Sequence, residues 1–114
     1  LNHVMMGLDS GKESEEFRRL ELVDPYQKLL GPDGIACDLK HGCASVPLAL
    51  VACGRLDAYM ALSLELEDQA PGVLEIREAG GIVTDRFGKP WDHDRSILAA
   101  NPSLHPKLLA RING

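Results

Sequence analysis

Apolar positions along the 114-residue chain recur now at every second residue, now at every third or fourth, and each change of period marks an element boundary. Residues 1–7, L-N-H-V-M-M-G, make a short apolar run of strand length, although length alone leaves a helical segment open. D-S-G-K at 9–12 reads as a turn or loop. From Ser14, S-E-E-F-R-R-L-E-L-V sets Phe17, Leu20 and Val23 on one face behind a capping Ser and first-turn acids, which predicts an amphipathic helix. Pro25 disturbs its far end, and a second helical stretch follows at 26–30. L-G-P-D-G at 30–34 is turn chemistry, with Pro fixing one φ and Gly supplying a positive one.

A strand is predicted at 35–39. C-A-S-V-P-L-A-L-V-A-C-G, at 43–54, is apolar nearly all round, so the helix it forms must be buried on most sides. Pro47 is confined to its first turn and Gly54 stops it. A strand at 56–64, entered at Asp57, leads to a helix at 69–79 that turns Val73, Ile76 and Ala79 inward and Glu75 and Glu78 outward. Pro71 is expected in that helix's first turn and Gly80-Gly81 at its end. A short strand at 82–84, a turn at 86–88, a loop through Trp91 and a strand at 96–100 complete the sheet. A last helix runs from Pro102 to Ile112, capped by Asn101. Strands alternating with helices predict an α/β fold on a parallel or mixed sheet, built as a single domain over 1–114.

Composition narrows the partners. A formal charge of −5 with scattered Lys and Arg argues against a nucleic-acid partner, and an acidic protein that handles phosphate needs a metal. No apolar run approaches the roughly 20 residues of a membrane span, and no basic-then-apolar leader is visible. Aromatics are few, so the core is expected from Leu, Ile, Val and Ala. Cys37, Cys43 and Cys53 are odd in number and stand among apolar residues, which points to reduced thiols and a cytoplasmic location. Cys37, His41 and Cys43 form a C-x3-H-x-C cluster, but no second ligand pair at zinc-finger spacing follows. The chain opens on Leu1, which suggests a piece of something longer or a removed front portion.

Two stretches carry candidate chemistry. Glu65, Glu67 and Asp68 crowd the mouth of a helix, where an Asp cap worth about 1 kcal/mol competes with a share in a cation site. Gly42-Cys43-Ala44-Ser45 opens the apolar helix, where free N–H groups suit an anion or hydroxyl, or where small residues simply let the helix pack closely. E-A-G-G at 78–81 is structural, a helix end with a left-handed Gly. Asp85 and the run Asp92-His93-Asp94 read as turn residues rather than metal ligands.

In order, G-C-A-S-V-P-L-A-L-V-A-C-G-R-L-D-A-Y, L-E-D-Q-A-P-G-V-L-E-I-R-E-A-G-G-I-V-T-D-R-F-G-K-P and S-I-L-A-A-N-P-S-L-H resemble the carboxy-terminal half of the inositol monophosphatase family. These are magnesium-dependent, lithium-sensitive phosphomonoesterases related to fructose bisphosphatase, with a layered sheet-and-helix sandwich fold. The resemblance covers residues 42–112 well and the part before them weakly. It implies that Gly42, Cys43 and Ala44 face the substrate, a small phosphorylated metabolite, and that Asp68 is a Mg2+ ligand. It also implies that the remaining metal ligands and the catalytic residues lie in an amino-terminal half that this sequence does not contain. G-P-D-G-I at 31–35 mimics the family's D-P-x-D-G-T loop only briefly and is assigned no metal.

Two departures stand out. Glu67 replaces a Trp, and Ala61 stands where many members carry an acid that contacts a substrate hydroxyl. The expected function is the carboxy-terminal portion of such a phosphatase, with a non-catalytic binding or assembly module as the alternative. A half-fold should expose an apolar face, hence pairing with the missing half, a second chain or a copy of itself is expected.

Overall fold

The computed structural model describes residues 1–9, 23–40, 43–62, 66–91 and 95–114, with only the backbone of 66–68. The helix predicted from Ser14 falls mostly outside them. In chain order the elements are β1 (Met5–Asp9), α1 (Val23–Leu30), β2 (Cys37–Leu39), α2 (Ser45–Ala52), β3 (Ala58–Ala61), α3 (Leu66–Glu78), β4 (Ile82–Thr84), β5 (Ile97–Ala100) and α4 (His105–Asn113). The strands form one mixed sheet in the order β2-β1-β3-β5-β4. β1 runs parallel to both β2 and β3, whereas β5 is antiparallel to β3 and β4.

Period two along the central strands sorts side chains into two cores. Ala58, Met60, Leu62, Leu98 and Ala100, with Met6 and Leu8, pack on Leu29 of α1 and Leu108 and Ile112 of α4. Tyr59, Ala61, Ile97 and Ala99 face the other way, onto Leu48 of α2 and Val73 and Ile76 of α3. The α/β sandwich expected from the sequence is therefore present, with helices on both faces of the sheet. Its core departs from the expected aliphatic set, because Tyr59, Met6 and Met60 are all fully buried.

Side chains fix what the ladders leave free. Asp57, at the entry to β3, accepts the Met5 N–H at 2.8 Å and so sets the start of the β1–β3 pairing. The Arg111 guanidinium of α4 donates to the carbonyls of Lys28 and Pro32, clasping α4 to the end of α1. Asn101 Oδ1 accepts the Leu104 N–H at 2.8 Å, the expected cap, although it closes a turn ahead of the helix proper.

Four details differ from the sequence reading. Pro25 is a buried first-turn residue of α1 rather than a disturbance at a helix end. In the 31–34 turn the positive φ (64°) belongs to Asp33, while Gly34 is needed because a Cβ there would overlap the Leu29 carbonyl. α3 begins at Leu66, three residues early, so Pro71 lies in its second turn, and Ala79 falls beyond its end and is exposed. α2 is less covered than its composition requires: Leu48 is fully buried, but Val46 is 51% exposed.

Gly72 is where α3 meets α2. A Cβ at this position would stand 2.6 Å from Leu48 Cβ, which cannot swing aside as a side-chain tip can. Ala is favoured over Gly within a helix by roughly 1 kcal/mol, yet overpacking typically costs about 1–3 kcal/mol. Gly72→Ala is expected to lower the chemical-denaturation midpoint by a net destabilisation of up to about 2 kcal/mol. Glu75→Ala, exposed on the same helix, should stay within about 0.5 kcal/mol of the parent. A stabilised Gly72→Ala would contradict the packing described.

Candidate functional site

The parallel strands β2, β1 and β3 all end at one edge of the sheet, at Leu39, Asp9 and Ala61. From β1 the chain passes through α1, on one face, to β2; from β2 it passes through α2, on the other face, to β3. The connections thus part company between β1 and β3, and the crevice beyond the carboxyl ends of strands at such a switch point is where open α/β sheets bind ligands. The starts of α2 and α3 follow β2 and β3 at this same edge.

Asp9 occupies the switch point itself. It is the last residue of β1, a correction to its reading as the start of a turn, because its backbone pairs with Ala61 of β3. Its Oδ2 accepts the Tyr59 O–H at 2.8 Å, and both residues are buried. Gly7 makes the arrangement possible, since a Cβ there would stand 2.8 Å from Tyr59 Cδ1. Desolvation foremost, then the hydrogen bond to Asp9 and its charge, push the Tyr59 phenol far above its ordinary range. It therefore stays protonated and acts as a donor.

At the start of α2, Cys43 is exposed, whereas Ala44 is buried and packs with Leu48 and Tyr59. Gly42, like His41, lies outside the described residues, as do Asp92, His93, Asp94 and Glu65. Asp68 is the third residue of α3, inside the first turn rather than at the cap, because the helix starts earlier than predicted. Its side chain is also outside the description. The residue after it anchors the turn: Gln69, fully buried, accepts the Trp91 Nε1–H at 2.8 Å and donates to the Arg95 carbonyl at 3.5 Å.

Asp85 behaves as the turn chemistry predicts. Its Oδ1 accepts the N–H groups of Phe87 and Lys89, each at 2.9 Å, closing the turn between β4 and the loop. The three cysteines are free as expected but exposed, contrary to the apolar company they keep in sequence. Sequence reasoning also missed His105. It is buried in α4 with Nε2 2.9 Å from Thr84 Oγ1, and the only signal for it was its place one turn before Leu108 and Leu109.

A magnesium site needs several oxygen donors converging on one point. Among the described residues, no three His, Cys, Asp or Glu side chains come together in that way. Asp68 alone does not fit the ion, and no reaction step through a metal follows from this chain's described residues by themselves.

These features describe an α/β sandwich in which two helices follow parallel strands that end beside a strand switch. Comparison with known proteins then assigns the chain. The sequence profile of the inositol monophosphatase family matches residues 9–114, well beyond the 42–112 motif region, and the chain belongs to that family. It is 46% identical over 70 residues to inositol-1-monophosphatase ImpA of Mycolicibacterium smegmatis, an alignment covering 60% of this chain and 25% of that protein. With an inositol-1-monophosphatase of Caulobacter vibrioides the identity is 46% over 77 residues, 64% of this chain and 29% of the relative. The fold superposes on the extragenic suppressor protein SuhB of Bartonella henselae with a TM-score of 0.81 at 26% identity, covering all of this chain and 44% of that one. SuhB of Mycobacterium tuberculosis gives a TM-score of 0.81 at 26% identity, covering 99% and 42%. The chain therefore spans well under half the length of the proteins it matches.

Removing the Asp85 carboxylate strands two backbone donors, so Asp85→Ala should destabilise by about 1–3 kcal/mol in urea, with Asp85→Asn losing less because its Oδ1 still accepts. Burial depresses the His105 imidazole below its ordinary value of 6.5, so the unfolded chain takes up the proton more readily. That stability is complete above the unfolded value and is lost as the pH falls from there through the depressed folded value. Thermal midpoints should drop more steeply below about pH 6.5 in the parent than in His105→Gln, and identical profiles would contradict it.

Proposed function

We propose that residues 1–114 form one domain, the carboxy-terminal half of a Mg2+-dependent phosphomonoesterase that hydrolyses a small phosphate ester of an inositol, a sugar or a nucleotide. The observation that supports this reading is that α2 and α3 follow parallel strands ending at the same switch-point edge, in a chain of this family. In this reading Asp68 contributes one oxygen to the metal cluster. The backbone N–H groups at Gly42, Cys43 and Ala44 donate to the substrate, where small side chains allow close approach. Mg2+, when bound, supplies Lewis acidity and an activated water. The catalytic residues and the other ligands belong to an amino-terminal half, carried on the same polypeptide or on a second one.

The uncovered side of α2, with Val46 exposed, supports a partner surface there, filled by the other half or by a second copy. No described helix is long and apolar enough to cross a membrane, and a cytoplasmic location is part of the proposal. A second reading, a binding or assembly module without turnover, is supported by Glu67 in place of the family Trp and by Ala61 in place of the acid.

The test joins the complete fold, both halves present, to a phosphate-release assay with millimolar Mg2+. Hydrolysis that chelation abolishes is expected, with Asp68→Asn lowering kcat/KM by roughly 100-fold or more, the scale of several kcal/mol of lost charge stabilisation. Calorimetric Mg2+ binding should weaken in the same variant. Undiminished Mg2+ binding and turnover in Asp68→Asn would remove its ligand role, and no hydrolysis of any ester by the complete fold would favour the module.

A further inference from the structure

We infer that the cleft at the amino end of β3, at the opposite edge of the sheet from Asp9 and Ala61, is a second binding site that takes a short primary alkylammonium ion. The cleft has a volume of about 200 Å3. Ala100, the last residue of β5, lines it, and Ala100 pairs with Ala58, the first residue of β3. The site therefore lies a full strand length from the carboxyl ends of β1 and β3, and it stands independently of the phosphatase reading.

Its walls have two chemistries. Val51, Leu56, Ile76 and Pro102 supply an apolar lining. The negative lining comes first from α2 and α3, which both end on the cleft, the one through Ala52 and Gly54 and the other through Ala79 and Gly80. The last carbonyls of a helix lack intrahelical donors and give its carboxyl end a partial negative charge. No basic residue stands in the last turn of α2 to offset it. Asp57 then adds a full charge to the same wall. Its Oδ2 accepts the Met5 N–H at 2.8 Å, and among the described residues the carboxylate has no other hydrogen bond and no ion pair.

The bland account is that Asp57 serves only to hold the Met5 N–H. Asparagine would accept that bond without a charge, and a carboxylate beside the carboxyl ends of two helices has the unfavourable sign. A cation in the cleft corrects it. A bare divalent metal is the wrong one, because it needs several oxygen ligands around it and much of this wall is aliphatic. An ammonium group on an alkyl stem suits both chemistries: its three N–H donors reach the Asp57 carboxylate and the helix-end carbonyls, and the stem lies on the aliphatic side. A cavity of roughly 150 Å3 holds benzene, so this one has room for a stem of about four carbons.

The test is a chemical-shift titration of the complete fold, both halves present, with n-butylammonium and with its neutral counterpart n-butanol. The amine is expected to bind with a Kd on the order of 10 mM, shifting the amide resonances of Gly54, Ala79 and Gly80, and the alcohol roughly 3-fold or more weakly. Asp57→Asn keeps an acceptor for Met5 and removes the charge, so it should weaken the amine by about 3- to 10-fold and leave the alcohol unchanged. Ala79→Leu, at an exposed position beyond the end of α3, fills the cleft from its rim and should abolish binding of both, which keeps the site testable if Asp57→Asn unfolds. Equal affinity for amine and alcohol, or parental amine affinity in a folded Asp57→Asn, overturns the recognition of charge. Amine binding that survives Ala79→Leu, or no shift at about 100 mM amine, overturns the site. Acetyl-lysine methylamide carries the same stem on a peptide backbone, and tighter binding than n-butylammonium overturns the free amine as occupant in favour of a lysine side chain.

Discussion

Burial of β3 and β5 on both faces is the constraint on which the rest of the molecule depends. Every residue of the two strands, Ala58–Ala61 and Ile97–Ala100, is fully buried, so no side of the sheet at its centre can be given to water. Alanines at 58, 61, 99 and 100 keep both surfaces shallow, and larger residues at 59, 60, 97 and 98 fill the remaining depth. Each fully buried Leu or Ile contributes roughly 1.5–3 kcal/mol, and both helix layers are required to collect it. With both faces closed, a ligand can reach the sheet only at its edges. The direction of β1, β2 and β3 decides which edge carries the helix starts.

How much of this is legible in the sequence depends on how local the cause is. β4 falls where predicted, at residues 82–84, because Gly80, with φ of +88°, ends one helix and the turn held by Asp85 ends the strand, all within nine residues. The start of α3 is misplaced because Pro71 looks like a first-turn residue, while the helix extends upstream to Leu66 and is tied down by Gln69 and Trp91, 22 positions apart. The apolar character of α2 is plain in its composition. Its incomplete burial is not, since that depends on how much of the fold a given stretch of chain supplies, and this one covers less than half of its structural relatives.

The candidate site divides in the same way. Gly42-Cys43-Ala44-Ser45 and Glu67-Asp68 are readable because each is a contiguous motif at a helix start. Asp9 is not, because D-S-G-K carries strong turn chemistry and the evidence against a turn is its pairing with Ala61, 52 residues away. Tyr59 likewise looks like one scarce aromatic in a strand until the ladder brings Gly7 and Asp9 against it. Register is a pairwise property of two distant segments, and a one-residue slip would turn Asp9 to the opposite face. Asp57 guards against that slip by holding the Met5 N–H at the other end of the same pair of strands.

A fold of this kind brings residues far apart in the sequence to one place in the sheet. Within one parallel pair, registered residues present side chains to the same face only about 4.8 Å apart, close to the length of a single carboxylate side chain and its hydrogen bond. Asp9 of β1 and Ala61 of β3 are paired in this way, each as the last residue of its strand. Tyr59, two residues before Ala61 on β3, donates its O–H to the Asp9 carboxylate at 2.8 Å, so a side-chain bond reinforces the pairing that the ladder sets. Aligned by sequence, positions 9 and 61 have no relation. Aligned by the ladder, they are one place in the sheet.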